Sequence, residues 1–251
     1  MIRVIMHGCN GRMGQAIVGL ASSDEDIKIV AGVDKFDNGQ NSFPVYSNIE
    51  ACELEADVII DFSNSSAVDG LLKYAVSTHI PVVLCTTGLS DEQLVKVNEA
   101  STEVAILRSA NMSIGINLLL KLIKENAAIL RDAGFDTEIV EKHHRHKLDA
   151  PSGTALALAD AAKEALGSDY EYVYDRTERR MERPVKEIGI SAVRGGSIVG
   201  DHDVIFAGTD EVITLSHTAY SRNVFAQGAI SAARFLAGRA PGMYSMSDVI
   251  G

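Results

Sequence analysis

What most constrains this chain is a change of rhythm at its middle. In the first half, apolar runs of four to seven residues (2–6, 27–33, 57–62, 81–84 and 104–107) alternate with stretches of helical spacing (15–22, 66–76 and 92–100). Short strands separated by helices build parallel βαβ units and a doubly wound, Rossmann-type α/β sheet. Ser90 and Asp91 are placed to cap the last of those helices. Past residue 113 the rhythm differs. A long amphipathic stretch (116–130), a strand-like segment (137–142) and a second helix (155–166) lead into consecutive strands at 188–193, 204–207 and 212–218. That order indicates an α+β unit with a mainly antiparallel sheet. The expected domains are 1–112 and 113–218, with 219–251, helical from 223 to 237, returning to the first.

The turn after the first strand reads Gly8-Cys-Asn-Gly11-Arg-Met-Gly14 and opens the first helix. Glycines at such a turn permit a tight bend, a close backbone approach to a pyrophosphate and close helix–strand packing, while helix N-terminal amides hold the phosphates. Asn10 occupies the site of the second glycine of G-x-G-x-x-G, and asparagine tolerates left-handed backbone better than most residues. Asp34 ends the second strand 20 residues after Gly14, where a carboxylate can accept from an adenosine ribose. Lys35 follows and suits a 2′-phosphate, so NADH and NADPH both stay open. Cys85-Thr86-Thr87-Gly88 and Ser109-Ala110-Asn111-Met112 follow later strands, where such sheets bind ligands; each also reads as an ordinary capped turn.

Charge narrows the partners. With 34 acidic against 23 basic residues and a formal net charge of −11, the chain lacks the basic footprint that nucleic acid or anionic membranes require. No apolar run approaches the roughly 20 residues of a membrane helix. The start of the chain has no signal-peptide pattern, and Cys9, Cys52 and Cys85 form no C-x-x-C pair, which points to a reducing, cytoplasmic setting without a thiolate metal site.

Against that acidic background one segment stands apart: Glu141-Lys-His-His-Arg-His-Lys147, running into Leu-Asp-Ala-Pro-Ser-Gly-Thr154. Metal binding is one reading of three histidines in four positions, although the flanking cations oppose it. A solvated basic loop is another. The third is an anion-binding acid–base segment, because histidine titrates near neutrality, Lys147 supplies charge and a proton, and Ser152-Gly-Thr154 opens a helix whose free amides suit a carboxylate.

Together these residues resemble the dihydrodipicolinate reductase family. The resemblance rests on Glu141-x-His-His-x-x-Lys147-x-Asp149-Ala-Pro-Ser-Gly-Thr154, on Gly8–Gly14 with Arg12-Met13, and on Asp61-Phe62-Ser63 and Thr86-Thr87-Gly88. Ser109-Ala-Asn-Met-Ser113, Val193-Arg-Gly-Gly-x-Ile-Val-Gly-x-His202 and Phe225-Ala-x-Gly228 extend it over the whole chain. It implies His143 as the acid/base histidine, Lys147 as proton donor, His144 as a substrate contact, and Gly153 with Thr154 as the holders of a substrate carboxylate. It further implies that Gly8, Cys9, Asn10, Gly11, Arg12 and Met13 hold the pyrophosphate, with Asp34 and Lys35 on the adenosine side. Cys85, Thr86, Thr87, Ser109, Ala110, Asn111 and Met112 would line the nicotinamide side. The implied reaction is hydride transfer from NADH or NADPH to a small cyclic imine carrying two carboxylates, in the diaminopimelate route to lysine, with no metal. A cofactor in one half and substrate in the other imply closure before transfer. The family resemblance also implies a homotetramer assembled through the second domain. Two rivals remain. Another NAD(P)-dependent amino- or hydroxy-acid dehydrogenase would need the first domain but not the histidine segment, and a non-enzymatic NAD(P) sensor would need no acid–base pair.

Overall fold

The computed structural model describes residues 1–109 and 111–251. It divides into two compact units, Met1–Ile114 with Arg222–Gly251, and Gly115–Ser221.

The first unit alternates as its apolar runs require: β1 (Ile2–His7), α1 (Arg12–Ala21), β2 (Ile27–Val33), β3 (Val45–Tyr46), β4 (Val58–Asp61), α2 (Val68–Thr78), β5 (Val82–Leu84), α3 (Asp91–Ser101) and β6 (Ala105–Arg108). The returning segment adds α6 (Asn223–Leu236), β12 (Gly242–Tyr244) and α7 (Met246–Ile250). Among the described residues, seven strands pair in parallel in the order β12-β6-β5-β4-β1-β2-β3. The order reverses at β1, which lies between β4 and β2. Ligands bind at such a switch point, outside the strand C-termini.

Both faces of the sheet are covered, which is why its strands read as unbroken apolar runs rather than alternating ones. Val4, Met6, Val58 and Ile60 face one core, shared with Ile17 of α1 and Ala226, Ala229, Ile230 and Ala233 of α6. Ile5, Ile59, Val82 and Ile106 face the other, shared with Leu71 of α2 and Val97 of α3. Ile5, Ile17 and Ile230 are essentially inaccessible to solvent, and each such side chain contributes about 1.5–3 kcal/mol through burial. Helix α3 starts where the sequence indicates: Ser90 Oγ accepts from the Gln93 amide (3.2 Å) and Gln93 Oε1 from the Ser90 amide (3.2 Å), closing a capping box. Strands β3 and β12, of two and three residues, are too short to show a period and were not anticipated.

The second unit comprises α4 (Ile114–Asp132), which begins at the junction, then β7 (Asp136–His143), α5 (Gly153–Leu166), β8 (Glu171–Val173), β9 (Glu187–Arg194), β10 (Gly200–Ala207) and β11 (Val212–Ala219). Its five strands run in the order β11-β10-β7-β9-β8. The sequence indicates a mainly antiparallel sheet, and the observed one is mixed. β10 is antiparallel to both β7 and β11, but β7 and β8 each lie parallel to β9. For β7 and β9 the crossover that a parallel neighbour needs runs through α5, and for β8 and β9 it is the stretch 174–186. β7 and β10 bury alternate residues, and helices α4 and α5 cover the buried face through Leu119, Ile123, Leu158 and Ala162 against Ile139, Ile190 and Phe206. No helix among the described residues is long and apolar enough to cross a membrane.

Candidate active site

In the first unit the site begins where β1 stops. Gly8 leaves the strand at φ 84°, and a Cβ there would stand 2.5 Å from the Phe62 carbonyl oxygen. A Cβ on Gly14 would stand 2.2 Å from the Gly8 carbonyl oxygen. Both glycines are therefore fixed by backbone packing. Gly11, the N-cap of α1, carries no capping side chain, so an anion can take the first-turn amides.

Asn10 is not left-handed: among the described non-glycine residues only His79 and Asp210 have a positive φ. It serves as a tie instead. Its amide donates to Asp34 Oδ2 (2.9 Å), and its side chain accepts from Asn41 Nδ2 (2.8 Å) and donates to the Phe36 carbonyl. Asp34 Oδ1 accepts from the Lys35 amide (2.8 Å). Each Asp34 oxygen thus keeps a lone pair on a cavity of about 530 Å³ lined by Gly8, Gly11, Asp34, Lys35, Ser63 and Asn64. A pair of ribose hydroxyls fits that acceptor set. His7 and Asp61 lie beneath, both buried, with His7 Nδ1 2.8 Å from Asp61 Oδ1; neither was singled out from sequence as a pair, because they belong to different strands.

A second cavity, about 360 Å³, brings together Arg12 and Met13 with Cys85, Thr87, Ser109 and Met112. Asn111 also lines it, and its carbonyl oxygen accepts from Ser109 Oγ (3.0 Å). Ala110 lies outside the described residues. Thr86 is buried, 3.4 Å from Ser63 Oγ. The two cysteines are core residues: burial, with Asp34 adding to it, pushes the Cys9 thiol to about 11, and burial with Asp61 pushes Cys85 well up. Cys9 thus offers a ligand only its backbone. Gly228 of α6, where a Cβ would meet the Met112 carbonyl oxygen at 1.7 Å, lets the returning helix pack against this loop.

In the second unit β7 delivers Glu141 and His143 on its buried face, and the loop to α5 carries the rest. Glu141 is fully buried. Its Oε2 lies 2.6 Å from His143 Nδ1 and accepts from Arg194 Nη1 (2.7 Å), and its Oε1 accepts from the Ser152 amide (3.0 Å) and Arg194 Nη2 (2.6 Å). Burial alone would raise this carboxyl, but Arg194, His143 and the Ser152 amide together hold it below the usual carboxylate range. Ser152 caps α5, its Oγ accepting from the Ala155 amide (3.1 Å), and also lies 3.0 Å from His202 Nε2. Burial, with His143 nearby, pushes His202 down to about 4, so it is neutral at neutral pH and shares one hydrogen bond with the Ser152 hydroxyl through Nε2. The His143 and His202 rings meet edge to face at 5.1 Å.

Lys147 Nζ pairs with Asp149 Oδ1 (2.9 Å), and that contact lowers the Asp149 carboxyl. Gly153 and Thr154 form the first turn of α5. The His144 amide donates to the Ile198 carbonyl (2.8 Å), and its ring lies 6.3 Å from that of His146. Lys142 points elsewhere, paired with Asp203 (2.9 Å) on β10. Of the two carboxylates near the histidines, Glu141 has its lone pairs occupied and Asp149 is paired with Lys147, which opposes the metal reading. Sequence reasoning missed Arg194 and Ser152 as partners of Glu141, and His202; their only signal was membership in the quoted motifs.

Comparison with known proteins decides the lineage. Models described as "Dihydrodipicolinate reductase, N-terminus" and "Dihydrodipicolinate reductase, C-terminus" match residues 2–112 and 115–250. The chain belongs to the dihydrodipicolinate reductase family. The 4-hydroxy-tetrahydrodipicolinate reductases of Caldanaerobacter subterraneus subsp. tengcongensis and Clostridium novyi are 56% and 49% identical to it, each alignment covering 100% of this chain and 98% of the relative. The dipicolinate-bound dihydrodipicolinate reductase from Paenisporosarcina sp. TG-14 superposes with a TM-score of 0.83 at 27% identity, with both chains covered completely. Membership makes the chain a nicotinamide-dependent oxidoreductase, and the rival dehydrogenase reading is not favoured.

Proposed function

We propose that the chain is a 4-hydroxy-tetrahydrodipicolinate reductase, reducing a small cyclic imine that carries two carboxylates. The observation that carries this reading is the second-unit segment in which a buried Glu141–His143 pair, Lys147 and the Ser152-capped start of α5 follow one another within 14 residues, 141–154. The dipicolinate that names the Paenisporosarcina complex is a dicarboxylate of the same class.

NADH or NADPH, once bound, supplies the hydride. Gly8 to Met13 hold the pyrophosphate through backbone amides, Asp34 takes the ribose hydroxyls, and Lys35 beside it accommodates a 2′-phosphate. Cys85, Thr86, Thr87, Ser109, Asn111 and Met112 line the nicotinamide side. In the second unit Gly153 and Thr154 receive a substrate carboxylate at the α5 N-terminus, and His144 contacts the substrate. Lys147 exchanges Asp149 for the dianion, and its ammonium, with His143, stabilises negative charge that develops on the reduced imine and quenches it with a proton.

Assembly as a homotetramer through the second unit is part of the reading. It is supported by the sheet face away from α4 and α5, where Val193 and Val212 are exposed, Val212 by 61%. A cytoplasmic setting accords with a biosynthetic role. The test is steady-state oxidation of NADH and NADPH with the synthase-generated precursor. Turnover with that imine and none with simple 2-oxo acids is expected; the reverse pattern would overturn the assignment.

A further inference from the structure

We propose that Glu141 is a positioning residue for the reduction, fixing His143 in the tautomer protonated at Nδ1 so that Nε2 is the nitrogen that gains and loses the proton. This rests on the reading of His143 as a proton site. The argument is one of counting. Glu141 has four lone-pair sites and four donors: His143 Nδ1, the Ser152 amide, and two nitrogens of Arg194. Guanidinium and amide can only donate, so three contacts are fixed in direction whatever the histidine does. A carboxylate with no proton of its own accepts the fourth as well, and at 2.6 Å a lone pair on Nδ1 would face the carboxylate oxygen and be repelled. The proton of neutral His143 is therefore on Nδ1. Arg194 completes the device, since it anchors Glu141 from β9 while also donating to the carbonyl of Asp149 (2.8 Å), the residue that pairs with Lys147.

The other end of the ring shows a matching provision. A Cβ on Gly200 would stand 3.0 Å from His143 Nε2 and 3.4 Å from Cδ2. Gly200 is not left-handed, so no turn demands a glycine there; what its missing side chain provides is room beside Nε2.

Imidazole ¹⁵N NMR on the wild-type protein tests the tautomer, with His143 assigned by loss of its signals in His143→Gln. The Nδ1–H form is expected, and an Nε2–H form would overturn the proposal without touching the enzyme assignment. Kinetics supply the second arm. In Glu141→Gln a carboxamide cannot accept from all four donors, and kcat is expected to fall about tenfold or more with substrate KM changed less than about threefold. Unchanged kcat in the folded variant would overturn the proposal. Should that variant not fold, Gly200→Ala leaves Glu141 intact and displaces the ring by tenths of an ångström. A drop in kcat of roughly fivefold with the tautomer preserved is expected, and none would count against it. Near-normal kcat in His143→Gln would overturn the underlying reading, and this proposal with it.

Discussion

The two units handle negative charge by opposite means. In the first, the loop after β1 presents backbone: Gly11 caps α1 without a side chain, and its neighbours Gly8 and Gly14 exist because carbonyl oxygens lie where a Cβ would be. In the second, the end of β7 and the loop after it present paired side chains: Glu141 with His143 and Arg194, Lys147 with Asp149, and Lys142 with Asp203. A backbone site needs only shape and tolerates an acidic surface around it. A side-chain site must neutralise its own charges before substrate arrives, and Lys142, Lys147 and Arg194 are consequently each held by a carboxylate. Binding a cofactor calls for the first kind of site, and moving a proton calls for the second.

The sharpest way to break this contrast is steric. Gly14→Ala forces a Cβ against the Gly8 carbonyl oxygen, and a loss of about 3 kcal/mol or more is expected by denaturant unfolding, with cofactor binding weakened in whatever folds. A stable Gly14→Ala protein with normal cofactor affinity would show the loop to be less constrained than drawn. The electrostatic counterpart is His202. Its folded value, about 4, lies below the ordinary 6.5, so an unfolded chain takes up the proton first as pH falls. Stability is unaffected above 6.5 and declines between 6.5 and 4, by up to about 3 kcal/mol from this group. Thermal unfolding of His202→Gln should lose part of that acid sensitivity, and an identical pH slope would remove His202 as its source.

Smaller effects refine the comparison. Asp34→Ala should weaken NADH binding roughly tenfold, through the lost ribose acceptor and the freed Asn10 amide, while leaving kcat near normal. Titration of the free enzyme by cofactor fluorescence measures it, and unchanged affinity would take Asp34 out of the ribose site. Lys142→Ala removes a half-exposed pair and should cost about 0–1 kcal/mol with normal turnover. A large kcat defect there would mean that the basic segment acts as a field rather than through individual residues.

Much of the fold was legible because its signals are local. Strands β1, β2, β4, β5 and β6 are apolar runs bounded by turns, and α3 carries its capping box in four consecutive residues. What stayed hidden depends on pairing across distance. β8, with three residues, has no pattern of its own, and the crossover through α5 makes a parallel neighbour out of a strand that reads as one of an antiparallel series. At the site, Glu141 and Arg194 are 53 residues apart and meet only because β7 and β9 are in register. Asn10 shows the opposite error: its departure from glycine suggested a backbone role, whereas its side chain and amide tie the loop to Asp34 and Phe36. The cluster of cations was visible in composition. Which of them faces chemistry and which is held by Asp203 was not.

The most direct test of the division between a backbone site and a proton-moving site is Lys147→Ala, with kcat and NADH affinity measured on the same preparation. Loss of one positioned proton donor predicts a fall in kcat of about a hundredfold or more, with the dissociation constant for NADH changed less than about twofold. A near-normal kcat, or a loss of activity explained by lost NADH binding, would contradict it.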